Sequence, residues 1–168
     1  AQAIAEFERT AYAYQNSTSE VAPSAEAQAS SAELRSGAAY FALVAYQKHI
    51  ATLPTKTKED KAQLTEWRSR RINSSMKFGE NYPAHEKVPS VLYNVIEDQL
   101  ANNDKEAAIK TAGILVNRQP PPEERLLVYG WETIANGEYD LARYKVAEFG
   151  YAQLLNYPSV KPETRLTY

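Results

Sequence analysis

The chain of 168 residues is 43% hydrophobic and 24% charged, a composition typical of a globular protein long enough to bury a sizeable core. Its net charge of −2 argues against a general electrostatic attraction to nucleic acid or to an anionic membrane. Cysteine is absent, which excludes disulfides, thiolate metal sites and cysteine nucleophiles, and no apolar run reaches the length that spans a bilayer.

Apolar residues spaced three and four apart predict a succession of helices divided by proline and polar turns. In the first half of the chain, helices are predicted at 3–14, from a start between 24 and 32 to residue 53, and at 58–82. Pro54 and Pro83 end the second and third of these helices, because proline cannot continue a helical hydrogen-bond ladder.

The second half shows the same organisation with shorter helices. Gly137 is predicted to form the C-terminal turn of the sixth helix, and no stretch alternates with period two, so no sheet is expected. The sequence therefore predicts an all-α protein of about seven helices. The predicted helices of this half are 88–101, 105–118, 123–136 and 139–156, followed by a tail, 159–168, that resembles the start of another helix.

Two segments in this half, 103–108 and 137–142, occupy the same place in two successive helix pairs. Ala108 in the first and Ala142 in the second are 34 residues apart, which is the period of the tetratricopeptide repeat. Small residues at such positions allow paired helices to approach closely. In the second pair, the small, turn-glycine, turn-aromatic and small positions of that repeat are matched by Gly130, Gly137, Tyr139 and Ala142.

The chain therefore resembles a tetratricopeptide-repeat protein, of the type found in bacterial cell envelopes. The resemblance implies one helical-repeat domain over 1–168 with the architecture of an α-α superhelix. Its clear copies are 89–122 and 123–158, and 1–86 holds degenerate helical repeats.

The family resemblance also implies a function, because the concave face of such arrays binds a peptide or protein partner. Carried over position by position, that face comprises Tyr93 and Glu97 in one copy and Leu127 and Trp131 in the next. The alternative is a structural spacer or oligomerisation segment of a larger envelope-associated repeat protein, without a ligand groove. A third hypothesis is a helical enzyme with carboxylate acid–base groups.

The sequence contains no pattern typical of a catalytic, metal or cofactor site, so we predict none of these and no enzymatic activity. His49 and His85 are its only histidines and lie far apart. A nucleophile elbow and a glycine-rich phosphate loop are both missing. The basic cluster 68–71 is interpreted as a solvated helix face, and nucleic acid is not predicted as a partner.

The location of the protein is inferred from the family resemblance, the absent cysteines and the start at Ala1 without an initiator methionine. These features favour the periplasm or cell envelope, with the cytoplasm as the alternative. A protein or peptide is the predicted partner, and self-association is left open.

Overall fold

The structure, a computed structural model, describes residues 2–13 and 25–160, and this described part is helical without strands, which confirms the predicted all-α class. Seven helices occur in these residues, the predicted number. The chain divides into two compact units, unit 1 ending at Val88 and unit 2 beginning at Pro89. The helices are α1 (Gln2–Tyr12), α2 (Ala25–Ala51), α3 (Lys58–Asn81), α4 (Val88–Ala101), α5 (Lys105–Val116), α6 (Glu124–Asp140) and α7 (Tyr144–Leu154).

Unit 1 is built from two long helices and one short one, with α2 packed between α1 and α3. Fully buried alanines, Ala11 on α1 and Ala39 and Ala42 on α2, allow the helix backbones to approach. At the start of α3, Thr57 accepts a hydrogen bond from the Asp60 amide at 3.0 Å, and the Asp60 carboxylate accepts one from the Thr57 amide at 2.9 Å. This reciprocal capping box fixes where α3 begins.

An aromatic cluster closes the core of unit 1. Phe78 of α3 is completely buried, and its ring centroid lies 5.0 Å from that of His85, 5.8 Å from that of Tyr82 and 6.3 Å from that of Tyr40. Tyr82 also donates its hydroxyl to the Ala11 carbonyl at 2.9 Å. The segment after α3 is therefore held to α1 and α2 by aromatic side chains.

Unit 2 is packed differently, because glycines bring α6 close to its two neighbours, α5 and α7. A Cβ atom added to Gly130 would lie 2.6 Å from Val116 Cγ1, and one added to Gly137 would lie 2.7 Å from Ile109 Cγ1. On α7, Gly150 would place a Cβ atom 3.0 Å from that of Ala135. Each distance is below van der Waals contact, so these crossings exclude larger side chains.

This packing corrects the predicted boundary between the sixth and seventh helices. The sixth helix runs on to Asp140 and the seventh begins at Tyr144, not at Tyr139. Gly137 lies inside α6 because the contact with Ile109 requires a residue without a side chain there. Ala142 is exposed in the turn with φ of 57°, so its predicted equivalence to the buried Ala108 is wrong.

The turn between α6 and α7 instead matches the turn between α4 and α5 at an offset of 39 residues. Ala142 corresponds to Asn103, which has φ of 60°, and Ala147 corresponds to Ala108, both almost completely buried. The Asp104 amide donates to the Gln99 carbonyl at 2.8 Å, as the Arg143 amide does to the Glu138 carbonyl at 2.9 Å. Backbone geometry and burial therefore agree on 39, the offset that also relates Leu115 to Leu154.

The predicted helix after Pro162 lies outside the described residues, as does the end of the first predicted helix at residue 14.

Candidate functional site

One group of side chains shared between α4 and α6 is aromatic and acidic. Tyr93 and Glu97 lie one turn apart on α4, where the helical spacing of four places them on one face. The Tyr129 ring of α6 lies 4.5 Å from the Tyr93 ring, centroid to centroid, with the planes at 57°. Tyr129 also donates its hydroxyl to the Glu97 carboxylate, so two α4 side chains hold one α6 side chain.

The Arg125 cation and the Tyr129 phenol, whose pKa is raised, complete this group. The Arg125 guanidinium carbon lies 5.7 Å from the centroid of the Tyr93 ring, within cation–π range. Burial, and secondarily the hydrogen bond to the Glu97 carboxylate, raise the pKa of the Tyr129 phenol above its ordinary value. The hydroxyl therefore stays protonated at neutral pH and acts as a donor.

Two cavities flank Tyr129 and share both it and Glu132 in their linings. One has a volume of about 310 Å³ and extends past Tyr93 and Arg125 to Ser159. The other has a volume of about 240 Å³ and extends toward α5. Because the two share lining residues, they form one continuous surface, which we call the α4–α6 groove. Its lining includes Leu100, Lys105, Glu124, Asp140 and the residues named above.

The groove carries fixed charges of both signs, with carboxylates in the majority. The charged residues of its lining are two cations, Lys105 and Arg125, and three carboxylates. The Glu124 side chain accepts a hydrogen bond from the Ser159 amide at 3.0 Å. The Ser159 side chain, and then this amide, lower the pKa of the Glu124 carboxyl. The Lys105 ammonium lies 2.5 Å from the Asp140 carboxylate. The lining is thus partly apolar and aromatic and partly charged, with one more carboxylate than cations.

The structure brings two of the four predicted partner-binding residues together and places the other two elsewhere. Tyr93 belongs to the groove, and Glu97 contacts it through Tyr129. Trp131 instead packs its ring against that of Phe149 on α7, with centroids 5.8 Å apart, and the partly buried Leu127 lines neither cavity.

The separation of these residues follows from the repeat offset. Adding 34 to Tyr93 and Glu97 gives Leu127 and Trp131, whereas adding the structural offset of 39 gives Glu132 and Asn136. Glu132 and Asn136 both line the groove. The signal that would have found them is the match of the two interhelical turns, which depends on backbone angles that the sequence does not display.

Tyr129 and Arg125 were not predicted as site residues. Tyr129 lies about one helical turn before Glu132 and Arg125 about two turns before it, so all three are on the same side of α6. Both Tyr129 and Arg125 line the groove. With Tyr93 they form its aromatic and cationic wall.

The histidines take part in aromatic packing within unit 1. His49 lies edge-on to Trp67 with centroids 4.2 Å apart, and His85 packs on Phe78 while its Nδ1 accepts the Lys87 amide hydrogen at 3.1 Å. Across residues 2–13 and 25–160, no group of three or more potential ligands is arranged to hold a metal ion.

None of the described helices combines the length and apolarity needed to cross a membrane. Comparison of the chain with protein-family models, curated proteins and solved structures gives no match. The α4–α6 groove is therefore interpreted from its own geometry.

Proposed function

We propose that unit 2 is a protein-interaction module that binds an extended or helical segment of a partner protein in the α4–α6 groove. The observation that carries this proposal is the pairing of Tyr93 with Tyr129 at 4.5 Å beside two joined cavities. Aromatic side chains at the centre of an interface contribute much of its binding energy, because they bury a large area at low entropic cost. The polar groups around them supply orientation.

The proposed mode of binding is a helix or strand of the partner lying across α6, with an apolar side chain against the two tyrosines. A partner segment that also carries a lysine or arginine fits the groove, because its lining carboxylates outnumber its cations. We also propose that the α4–α5 and α6–α7 hairpins are successive modules of a tetratricopeptide-like array. Their offset of 39 residues is longer than the 34 of that repeat.

The proposal is tested with peptides selected from a random display library on the intact chain. Fluorescence anisotropy then measures the affinity of each selected peptide for the wild type and for Tyr93→Ala. We expect Tyr93→Ala to weaken binding about tenfold or more, the usual effect of truncating an aromatic anchor. The matched control is Tyr139→Ala, because Tyr139 is exposed and lines neither cavity.

Selected peptides that bind Tyr93→Ala and the wild type equally would argue against the groove. In that case the spacer hypothesis gains, and one observation favours it. Phe149 and Tyr144 on α7 are more than half exposed, so this helix presents an apolar face that another repeat or a second copy could cover. Analytical ultracentrifugation of Phe149→Ser against the wild type measures that contribution.

A further inference from the structure

Unit 1 contains a cleft of about 600 Å³ that plays no part in the proposed function of unit 2. Side chains of α1, α2 and α3 line it, and most of them are polar or charged. We call it the α1–α3 cleft and define it by Glu8, Arg9, Tyr12, Tyr46, Arg70, Ser74 and Lys77. Its cations Arg9, Arg70 and Lys77 are exposed, whereas Tyr46 and Ser74 are buried.

The Tyr12 hydroxyl is the most informative group in this cleft. It is shielded from solvent and has no hydrogen-bond partner among the described residues. Burial, with smaller contributions from Tyr82 and Glu8, raises the pKa of the Tyr12 phenol well above its ordinary value. The hydroxyl therefore keeps its proton and is a donor without an acceptor, an arrangement that native proteins rarely leave unsatisfied.

A cation lies over the ring that carries this donor. The Lys77 ammonium nitrogen is 3.7 Å from the centroid of the Tyr12 ring. An anion bound in the cleft could thus accept from the hydroxyl while lying close to a fixed positive charge.

Two arginines add further positive charge to the cleft. Arg9 is paired with Glu6 and Arg70 with Glu66, both at 2.5 Å and both within a single helix. All four side chains are more than half exposed, and such pairs contribute little because water screens them. The Arg70 guanidinium carbon also lies 4.8 Å from the centroid of the Trp67 ring, so Arg9 is the arginine that can turn toward a ligand at the smaller cost.

The one carboxylate of the lining, Glu8, is already engaged by two hydroxyl donors. Its Oε1 accepts from Ser74 at 2.7 Å and from Tyr46 at 3.3 Å. With one carboxylate against three cations, the cleft has a net formal charge of +2. Glu6 and Glu66, the carboxylates that pair with Arg9 and Arg70, lie outside this lining.

We infer that the α1–α3 cleft binds the oxyanion group of a small molecule, a phosphoryl or carboxylate group, through the Tyr12 hydroxyl and the Lys77 ammonium. Arg9 and Arg70 supply additional positive charge at its mouth. The inference concerns unit 1 alone and does not depend on the groove in unit 2.

The test titrates the full chain with inorganic phosphate in one arm and with succinate in the other. Isothermal titration calorimetry measures the affinity. Repeating the titration at several sodium chloride concentrations measures how the affinity depends on ionic strength. We expect saturable binding in at least one arm, and the arm that saturates identifies the source of the oxyanion. Tyr12→Phe removes only the hydroxyl, and Lys77→Met removes only the charge. Each variant is expected to weaken binding about tenfold, the effect of losing a charge-assisted hydrogen bond.

Two matched controls carry the same chemical changes outside the cleft. Tyr139→Phe and Lys61→Met affect exposed side chains and should leave the affinity unchanged. Tyr12→Phe should also raise the thermal midpoint of the anion-free protein, because it removes a buried donor without a partner. Higher stability together with weaker anion binding is an outcome that a purely structural tyrosine would not produce.

Three results would overturn the inference. The first is the absence of saturable binding in both arms. The second is an unchanged affinity in Tyr12→Phe or in Lys77→Met. The third is a lower thermal midpoint for anion-free Tyr12→Phe, since that would mean that the hydroxyl already has a partner within the protein.

Discussion

The two units hold their helices together by different means. In unit 2, Gly130 and Gly137 let backbones approach until no side chain fits between them. In unit 1, a Cβ atom added to Gly37 would have no neighbour within 4 Å, and one added to Gly79 would lie 3.8 Å from its nearest neighbour. There the space between helices is filled by rings around Phe78.

This difference teaches that equal burial does not imply equal tolerance to substitution. A close glycine crossing fails when volume is added, whereas a cluster of rings fails when volume is removed. It also bears on function. The aromatic groove lies in the unit with the close glycine crossings, and the polar cleft lies in the unit with the cluster of rings.

The largest effect is expected from Phe78→Ala, which removes the completely buried ring at the centre of unit 1. The cavity should lower the free energy of unfolding by about 3–5 kcal/mol. Hydrogen-exchange mass spectrometry should show the loss of protection in α2 and α3. Phe41→Ala is the matched control, because that ring is 55% exposed. An equal loss of protection in α5 and α6 would mean that the two units unfold together and not independently.

The next effect is expected from adding one methyl group to each kind of glycine. Gly130→Ala should destabilise the protein by about 1–2 kcal/mol, because the clash with Val116 exceeds the gain in helix propensity. Gly37→Ala should stabilise it by up to about 1 kcal/mol, since the new Cβ meets nothing. Urea denaturation measures both. If both variants changed the free energy of unfolding in the same direction, the two units would not differ in how closely their helices pack at these glycines.

A third substitution sharpens the correspondence within unit 2. Ala142→Gly should stabilise the protein by about 1 kcal/mol, because alanine is strained at φ of 57° and glycine is not. The matched variant Ala147→Gly should destabilise it by a similar amount or more, since Ala147 is buried inside α7. Thermal unfolding distinguishes them. If Ala142→Gly destabilised the protein, Ala142 would be a packing residue like Ala108, as the 34-residue offset predicts.

The smallest expected effect is the contribution of one buried phenol, that of Tyr46, to the loss of stability in alkali. Burial, and then the charge of Glu8, raise the pKa of Tyr46 from its usual value near 10 to about 12. Its folded state therefore favours the protonated phenol, so the stabilisation is complete below pH 10 and is lost as the pH rises toward 12. At about pH 10.5 the loss is about 0.8 kcal/mol.

Urea denaturation at pH 8 and at about pH 10.5 measures this loss, and Tyr46→Phe should reduce it. Tyr139→Phe, at an exposed position, should not. A pH dependence that is the same in wild type and Tyr46→Phe would contradict the assignment to this buried phenol.

Most helices could be predicted from local signals alone. Spacings of three and four located all seven, and α2 ends at Ala51, three residues before the predicted stop at Pro54. The error fell at Gly137, where the same residue type has two uses. Glycine ends helices and it also permits close helix crossings, and nothing in the neighbouring sequence distinguishes these uses.

Two of the predicted partner-binding residues, Tyr93 and Glu97, lie at the candidate site. They could be found because the resemblance to the tetratricopeptide repeat implied them. Tyr129 and Glu132 could not, since their position beside α4 depends on the offset between two hairpins. An error of five residues in the repeat offset selects a different face of α6. The residues then chosen lie on the face that meets Phe149 and not on the face that lines the groove.

The sequence by itself determined that this protein is helical, roughly where each helix lies, and that disulfides and thiolate sites play no part, because these properties depend on residue type and local spacing. Only the tertiary structure decided which glycines are crossings, which residues face the α4–α6 groove, and that Tyr12 and Lys77 meet in a cleft. The physical reason is that these features arise from contacts between residues distant in the chain, whose geometry is set by packing as a whole.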